Sequence, residues 1–235
     1  MATIVILPCQ FVGAAAWARV RPLVEAAGHT LLALDLPGWG DRRSVLAPDI
    51  DLSAHVADVV QVLVQRDLRD ITLVGHSYGG MVLAGVAAQA TPRLDHLVLL
   101  DAPAPRHGDT LFDHLPESVA AWCREQAEAV GDGWRIPPPD LAMHHLGDAD
   151  IAWLTPMLGP VPLATCEEPL EAPDDPLWVM PRTYVRCREY PMFAETAARI
   201  RNDQGWTYRE LPTGHLPMVT HPAQTAALLV EVAGG

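Results

Sequence analysis

The stretch that most restricts this chain is Ile71-Thr72-Leu73-Val74-Gly75-His76-Ser77-Tyr78-Gly79-Gly80. A short, continuously apolar run entering Gly-x-Ser-x-Gly and then an Ala-rich segment predicts a buried strand, a sharp turn and a helix. Glycines two residues before and two after Ser77 let the backbone turn where a Cβ would clash. Such a turn pushes the Ser77 hydroxyl out at the C-terminal end of a sheet. The helix that starts there favours negative charge developing nearby. Ser77 is therefore the expected nucleophile, the alternative being an inert turn that merely keeps the pattern.

The rest of the chain supplies a sheet for that turn. Strands are expected over residues 3–7, 30–34, 71–74, 97–100, 183–187 and 206–211. Helices are expected around 14–27 (stopped by Gly28), from Val56 onward with Ser53 as N-cap, and over 77–90, 193–200 and 223–232. In that second helix Val56, Val59, Val60, Leu63 and Val64 fall on one face. Alternating strands and helices mean right-handed crossovers and a mostly parallel sheet covered on both faces. The alternation lapses between Pro103 and Pro181, where 13 of the 22 prolines fall together with Trp122, Trp134, Trp153 and Trp178. So many large apolar side chains predict a folded cap over residues 104–181, with 1–103 and 182–235 forming the core. The plainer reading is an irregular surface excursion.

Charge and residue usage narrow the chemistry. The net charge of −13 argues against nucleic-acid backbones and anionic lipid surfaces as partners. All 16 basic residues are Arg. Without Lys there is no Schiff-base chemistry, no Lys-anchored pyridoxal phosphate and no Gly-Lys-Ser/Thr phosphate loop. Cys9, Cys123, Cys166 and Cys187 are too scattered for a disulfide framework. The apolar start carries no leading positive charge and is interrupted by Pro8, Gln10 and Gly13, unlike a signal peptide. No run of 18 apolar residues occurs, so no membrane span and a cytoplasmic location are expected.

A serine nucleophile needs a base, and the base needs an orienting acid. His215, in Leu211-Pro212-Thr213-Gly214-His215 between the last strand and last helix, stands where the chain order of such sites puts the base. His29, His55, His96, His107 and His114 read as ordinary polar residues at solvent-facing or element-end positions, and His221 as structural. His144-His145 has no partners at metal spacing, so neither a metal nor a cofactor is expected.

With those residues in view, the chain resembles the α/β-hydrolase superfamily, within it the group of small serine esterases containing hydroxynitrile lyases and plant methylesterases. The matching segments are Gly13-Ala14-Ala15-Ala16-Trp17, Asp35-Leu36-Pro37-Gly38-Trp39-Gly40, residues 75–80, and Gly214-His215-Leu216-Pro217-Met218. The resemblance implies a three-layer fold, a sheet of about six strands and a helical cap after the fourth. It also implies an oxyanion hole from the backbone N–H groups of Gln10 and Tyr78. Three departures stand out. Pro8-Cys9 replace the usual His-Gly after the first strand. The acid expected after the second-last strand falls on Tyr190, with Glu189 one residue early; Glu189 is the first candidate, Asp101 the second, and a dyad without an acid the third. Leu216 replaces the Lys that handles cyanide in the lyases, which disfavours that reaction.

The substrate expected is a small apolar or aromatic carboxylic ester, lactone or thioester, in a pocket walled by Cys9, Phe11, Trp39, Trp122 and Trp153. Two other readings stay open: a binding protein that keeps a relic of the site, and a lyase or cyclase using His215 on a carbon acid. A homodimer through a sheet edge is a further expectation.

Overall fold

Period-two alternation in a buried strand sends neighbouring side chains to opposite faces of a sheet. In the computed structural model, which describes residues 1–144 and 146–234, β1 (Thr3–Leu7) does this: Val5 and Leu7 enter one apolar layer, Ile4 and Ile6 the other. The strands β2 (Thr30–Ala33), β3 (Ile71–His76), β4 (Leu94–Leu100), β7 (Arg182–Cys187) and β8 (Thr207–Leu211) complete a six-stranded sheet. Its order is β2-β1-β3-β4-β7-β8 and every pairing is parallel. The strand that carries the Gly-x-Ser-x-Gly turn is thus central.

Helices cover both faces. α2 (Leu52–Gln65), α3 (Gly79–Ala90) and α7 (Ala194–Arg201) bury residues in the Val5/Leu7 layer, while α1 (Arg21–Ala26) and α9 (Pro222–Gly234) cover the other. A short helix α8 (Pro217–Thr220) precedes α9.

Two expectations about helix starts are corrected. The helix expected around 14–27 is a 3-10 turn, Ala14–Trp17, followed by α1, because Pro22 lacks an N–H and fits only the first turn of a new helix. α2 is capped by the Asp51 carboxylate, which accepts from the Ala54 N–H at 2.8 Å; the Ser53 hydroxyl donates instead to Glu168.

Between β4 and β7 the chain folds into α4 (Glu117–Val130), an antiparallel pair of β5 (Arg135–Ile136) with β6 (Val161–Pro162), α5 (Asp148–Leu154) and α6 (Ala164–Glu167). Ala127, Ile136, Val161, Cys166 and Leu170 join the same apolar layer as α2 and α3. The insertion therefore extends the core over the C-terminal edge of the sheet and is not a loose excursion. No described helix is long and apolar enough to cross a membrane. His145 lies outside the described residues.

Candidate active site

The turn after β3 is tight because it has no alternative. A Cβ on Gly79 would stand 2.5 Å from the Leu7 carbonyl oxygen, and one on Gly75 would collide with the Gly79 carbonyl. Ser77 sits at the apex with φ +55°, a left-handed conformation that costs on the order of 1–3 kcal/mol away from a site that uses it. Its N–H donates to the Leu100 carbonyl, which ties the apex to the end of β4.

Ser77 and His215 line one cavity of about 590 Å³. His215 comes from the segment after β8, and its carbonyl accepts from His76 Nε2 at 2.8 Å. The imidazole Nδ1 meets Asp101 Oδ2 at 2.7 Å, and the other carboxylate oxygen accepts from the Cys187 N–H at 3.2 Å. Asp101 is at the end of β4 with φ +44°, and its own N–H donates to the Val185 carbonyl. Burial raises the Asp101 carboxyl above the ordinary carboxylate range, against the pull of the Cys187 N–H; burial also lowers the His215 imidazole. Both shifts oppose a separated ion pair, so one proton is shared along the short contact between Nδ1 and the Asp101 carboxyl.

The expectation that Glu189 would be the acid is corrected. Glu189 is exposed, in a turn where its backbone N–H donates to the Thr213 carbonyl. What reaches His215 from that turn is Tyr190, whose ring stacks on the imidazole with centroids 4.2 Å apart and planes at 24°.

Among the described residues, neither the Gln10 N–H nor the Tyr78 N–H makes a hydrogen bond; Gln10 lines the cavity with Ser77, and Tyr78 follows Ser77 directly in the chain. The Tyr78 side chain is held by a chain of contacts: its hydroxyl is 2.9 Å from His55 Nδ1, and His55 Nε2 is 3.0 Å from the Pro37 carbonyl. Because only a protonated Nε2 can donate to that carbonyl, the Tyr78 hydroxyl donates to Nδ1. His55, expected at a solvent-facing position, is fully buried, and burial pushes its imidazole down to about 4.

Of the expected pocket walls, Cys9, Phe11 and Trp122 line the cavity. Trp39 does not; it is buried against the His55 and Tyr78 rings. Trp153 does not either, lying beneath the Arg19 guanidinium at 4.2 Å. Burial raises the Cys9 thiol to about 12, which makes it an inert wall residue at neutral pH. Phe112 and Phe193 were not anticipated, yet with Phe11 they place all three phenylalanines of the chain on this cavity. Phe11 holds φ +68°, unusual for a bulky residue, with its carbonyl accepting from Gly159 in the insertion.

Comparison with known proteins places these features in context. The family model described as "Alpha/beta hydrolase family" matches residues 4–228. A carbendazim hydrolyzing esterase from a Nocardioides species is 30% identical over 244 residues, spanning 99% of this chain and 100% of the relative. Methylesterase 1 of Arabidopsis thaliana is 25% identical, spanning 94% and 92%. Among solved structures, an extracellular alpha/beta-hydrolase from a Paenibacillus species superposes with a TM-score of 0.88 over the whole of both chains at 22% identity.

Proposed function

This chain belongs to the alpha/beta hydrolase family, and from that premise we propose that it hydrolyses a small apolar or aromatic carboxylic ester, lactone or thioester through a Ser77–His215–Asp101 triad. Esterases among its full-length relatives support ester cleavage in general. One observation carries the finer reading: Ser77 and His215 share one cavity while Asp101 holds Nδ1 of His215 from behind.

Asp101 keeps the Nδ1 proton in place, so Nε2 is the basic nitrogen. Nε2 takes the proton of Ser77 as Oγ attacks the substrate carbonyl carbon. The carbonyl oxygen, now negative, is received by the N–H groups of Gln10 and Tyr78. Each such donor is worth on the order of 10²–10³ in rate, because neither must turn away from another partner during the reaction. The imidazolium then protonates the leaving alcohol or thiol, and water releases the acyl group by the same steps in reverse. Phe11, Phe112, Trp122 and Phe193 favour an apolar or aromatic substrate. Among the described residues no Arg lines the cavity, while Asp140 does, so an anionic acyl group meets no arginine counter-charge there.

Intact mass after exposure to a fluorophosphonate probe tests this directly. One adduct on the wild type, absent from Ser77→Ala and His215→Ala, is the expected result, followed by turnover of an ester panel. A folded wild type that takes no adduct and hydrolyses nothing would overturn the acyl-enzyme mechanism.

A further inference from the structure

Tyr190 stands where the sequence resemblance puts a carboxylate, and a ring meets the imidazole there instead. The arrangement is built by the backbone. Arg188 N–H donates to the Leu211 carbonyl at 2.9 Å, Glu189 N–H to Thr213 at 3.0 Å, and Tyr190 N–H closes the turn on Cys187 at 3.2 Å. The turn that carries Tyr190 is therefore laced to the segment that leads to His215, which fixes the two backbones beside each other.

We propose that Tyr190 is a positioning residue that keeps the His215 imidazole in line with Asp101 and steadies the imidazolium formed when Ser77 gives up its proton. The proposal rests on the acyl-transfer reading above. The face of a neutral phenol ring is electron-rich and attracts a cationic ring more than a neutral one, so the stack strengthens as the proton arrives. Burial raises the Tyr190 phenol far above neutral pH, so the ring carries no charge of its own. Among the described residues no other ring comes as close. Asp101 holds one edge at Nδ1, the His76 ring lies 4.9 Å away tilted by 45°, the His144 ring from the insertion is near-parallel at 18° but 6.1 Å away, and the Phe193 ring is 6.1 Å away tilted by 38°. Ser77 approaches from the cavity, and Cys187 and Arg186 act on the pair through the Asp101 carboxylate.

The test compares wild type, Tyr190→Phe and Tyr190→Leu on para-nitrophenyl butyrate, reading kcat, KM and the pH dependence of kcat/KM. Tyr190→Phe keeps the ring and should stay within about twofold of wild type. Tyr190→Leu should lower kcat about tenfold with KM little changed, and move the acid limb to lower pH by up to about one unit. Tyr190→Met replaces it if the Leu variant does not fold. Full kcat in the Leu variant overturns the proposal. So does an acid limb that moves to higher pH, because the ring would then act only by keeping water out. Equal loss in Phe and Leu would assign the effect to the hydroxyl and overturn it as well. If wild type neither cleaves the ester nor takes the fluorophosphonate, the acyl-transfer reading fails by itself. The stack is then read by NMR titration of His215, which should titrate at lower pH in Tyr190→Leu; an unchanged titration overturns the proposal.

Discussion

The loops after β4 and β7 leave neighbouring strands at the same edge of the sheet, and each carries a carboxylate within reach of the sequence argument. Asp101 after β4 is buried, its backbone N–H on Val185 and its carboxylate shared between Cys187 and His215. Glu189 after β7 is exposed and contributes only its backbone to Thr213. The difference is one of anchoring. A carboxylate can hold an imidazole in one tautomer only if it is itself held, and only the loop after β4 pins both its backbone and its side chain. The loop after β7 contributes an aromatic face in place of the acid.

The strongest way to break this comparison is Asp101→Asn. We expect kcat/KM to fall on the order of 10³–10⁴, with fluorophosphonate labelling slowed in parallel, because the amide favours the wrong tautomer of His215. A variant that kept wild-type kcat/KM would return the acid to the other loop. Next in size is an effect of pH on stability, which extends the argument from anchoring to burial. Burial lowers His55 to about 4; it also lowers His76 to about 3, with His215 nearby adding to the shift. Both are neutral in the folded chain and take up protons near 6.5 once unfolded. Their contribution is therefore fully present above pH 6.5 and is lost as pH falls toward those lowered values. The loss is on the order of 2 kcal/mol per group by pH 5. Denaturant midpoints at pH 7.5 and 5 measure this in Asp101→Asn, which removes the opposing gain from the raised Asp101 carboxyl, and equal midpoints there would refute neutral burial of the two rings. The smallest expected effect sharpens the comparison from its other side: Glu189→Gln should leave kcat/KM within about twofold and the thermal midpoint within about a degree, as exposed substitutions do. A loss near that of Asp101→Asn would show that the exposed turn closes onto His215 during turnover.

Much of this site was legible before any coordinates, for local reasons. A strand, two glycines and a helix start within ten residues specify the turn at Ser77, and the clashes a Cβ would meet at Gly75 and Gly79 are the physical content of that pattern. Chain order pointed to His215, which shares the cavity with Ser77, and the prolines and tryptophans of residues 104–181 pointed to a segment with packed side chains of its own. Other residues were misplaced because their roles depend on partners distant in sequence. Trp39 was expected on the pocket but packs on Tyr78 and His55. His55 looks solvent-facing by position in α2, yet a phenol 23 residues away and the Pro37 carbonyl satisfy it inside the core. Phe112 lies inside the insertion and Phe193 beyond it, 81 residues apart, and nothing in their local sequence brings them together.

By itself the sequence determined the parallel sheet, the order of its elements, the apex at Ser77 and the absence of lysine chemistry, because strand periodicity, turn geometry and composition act over a few residues at a time. Which carboxylate contacts His215, which aromatic rings line the cavity and what stacks on the imidazole were decided by the tertiary structure alone. Those choices compare burial and hydrogen bonding at positions far apart in the chain, 114 residues in the case of Asp101 and His215. That comparison exists only once β4 and β7 are paired.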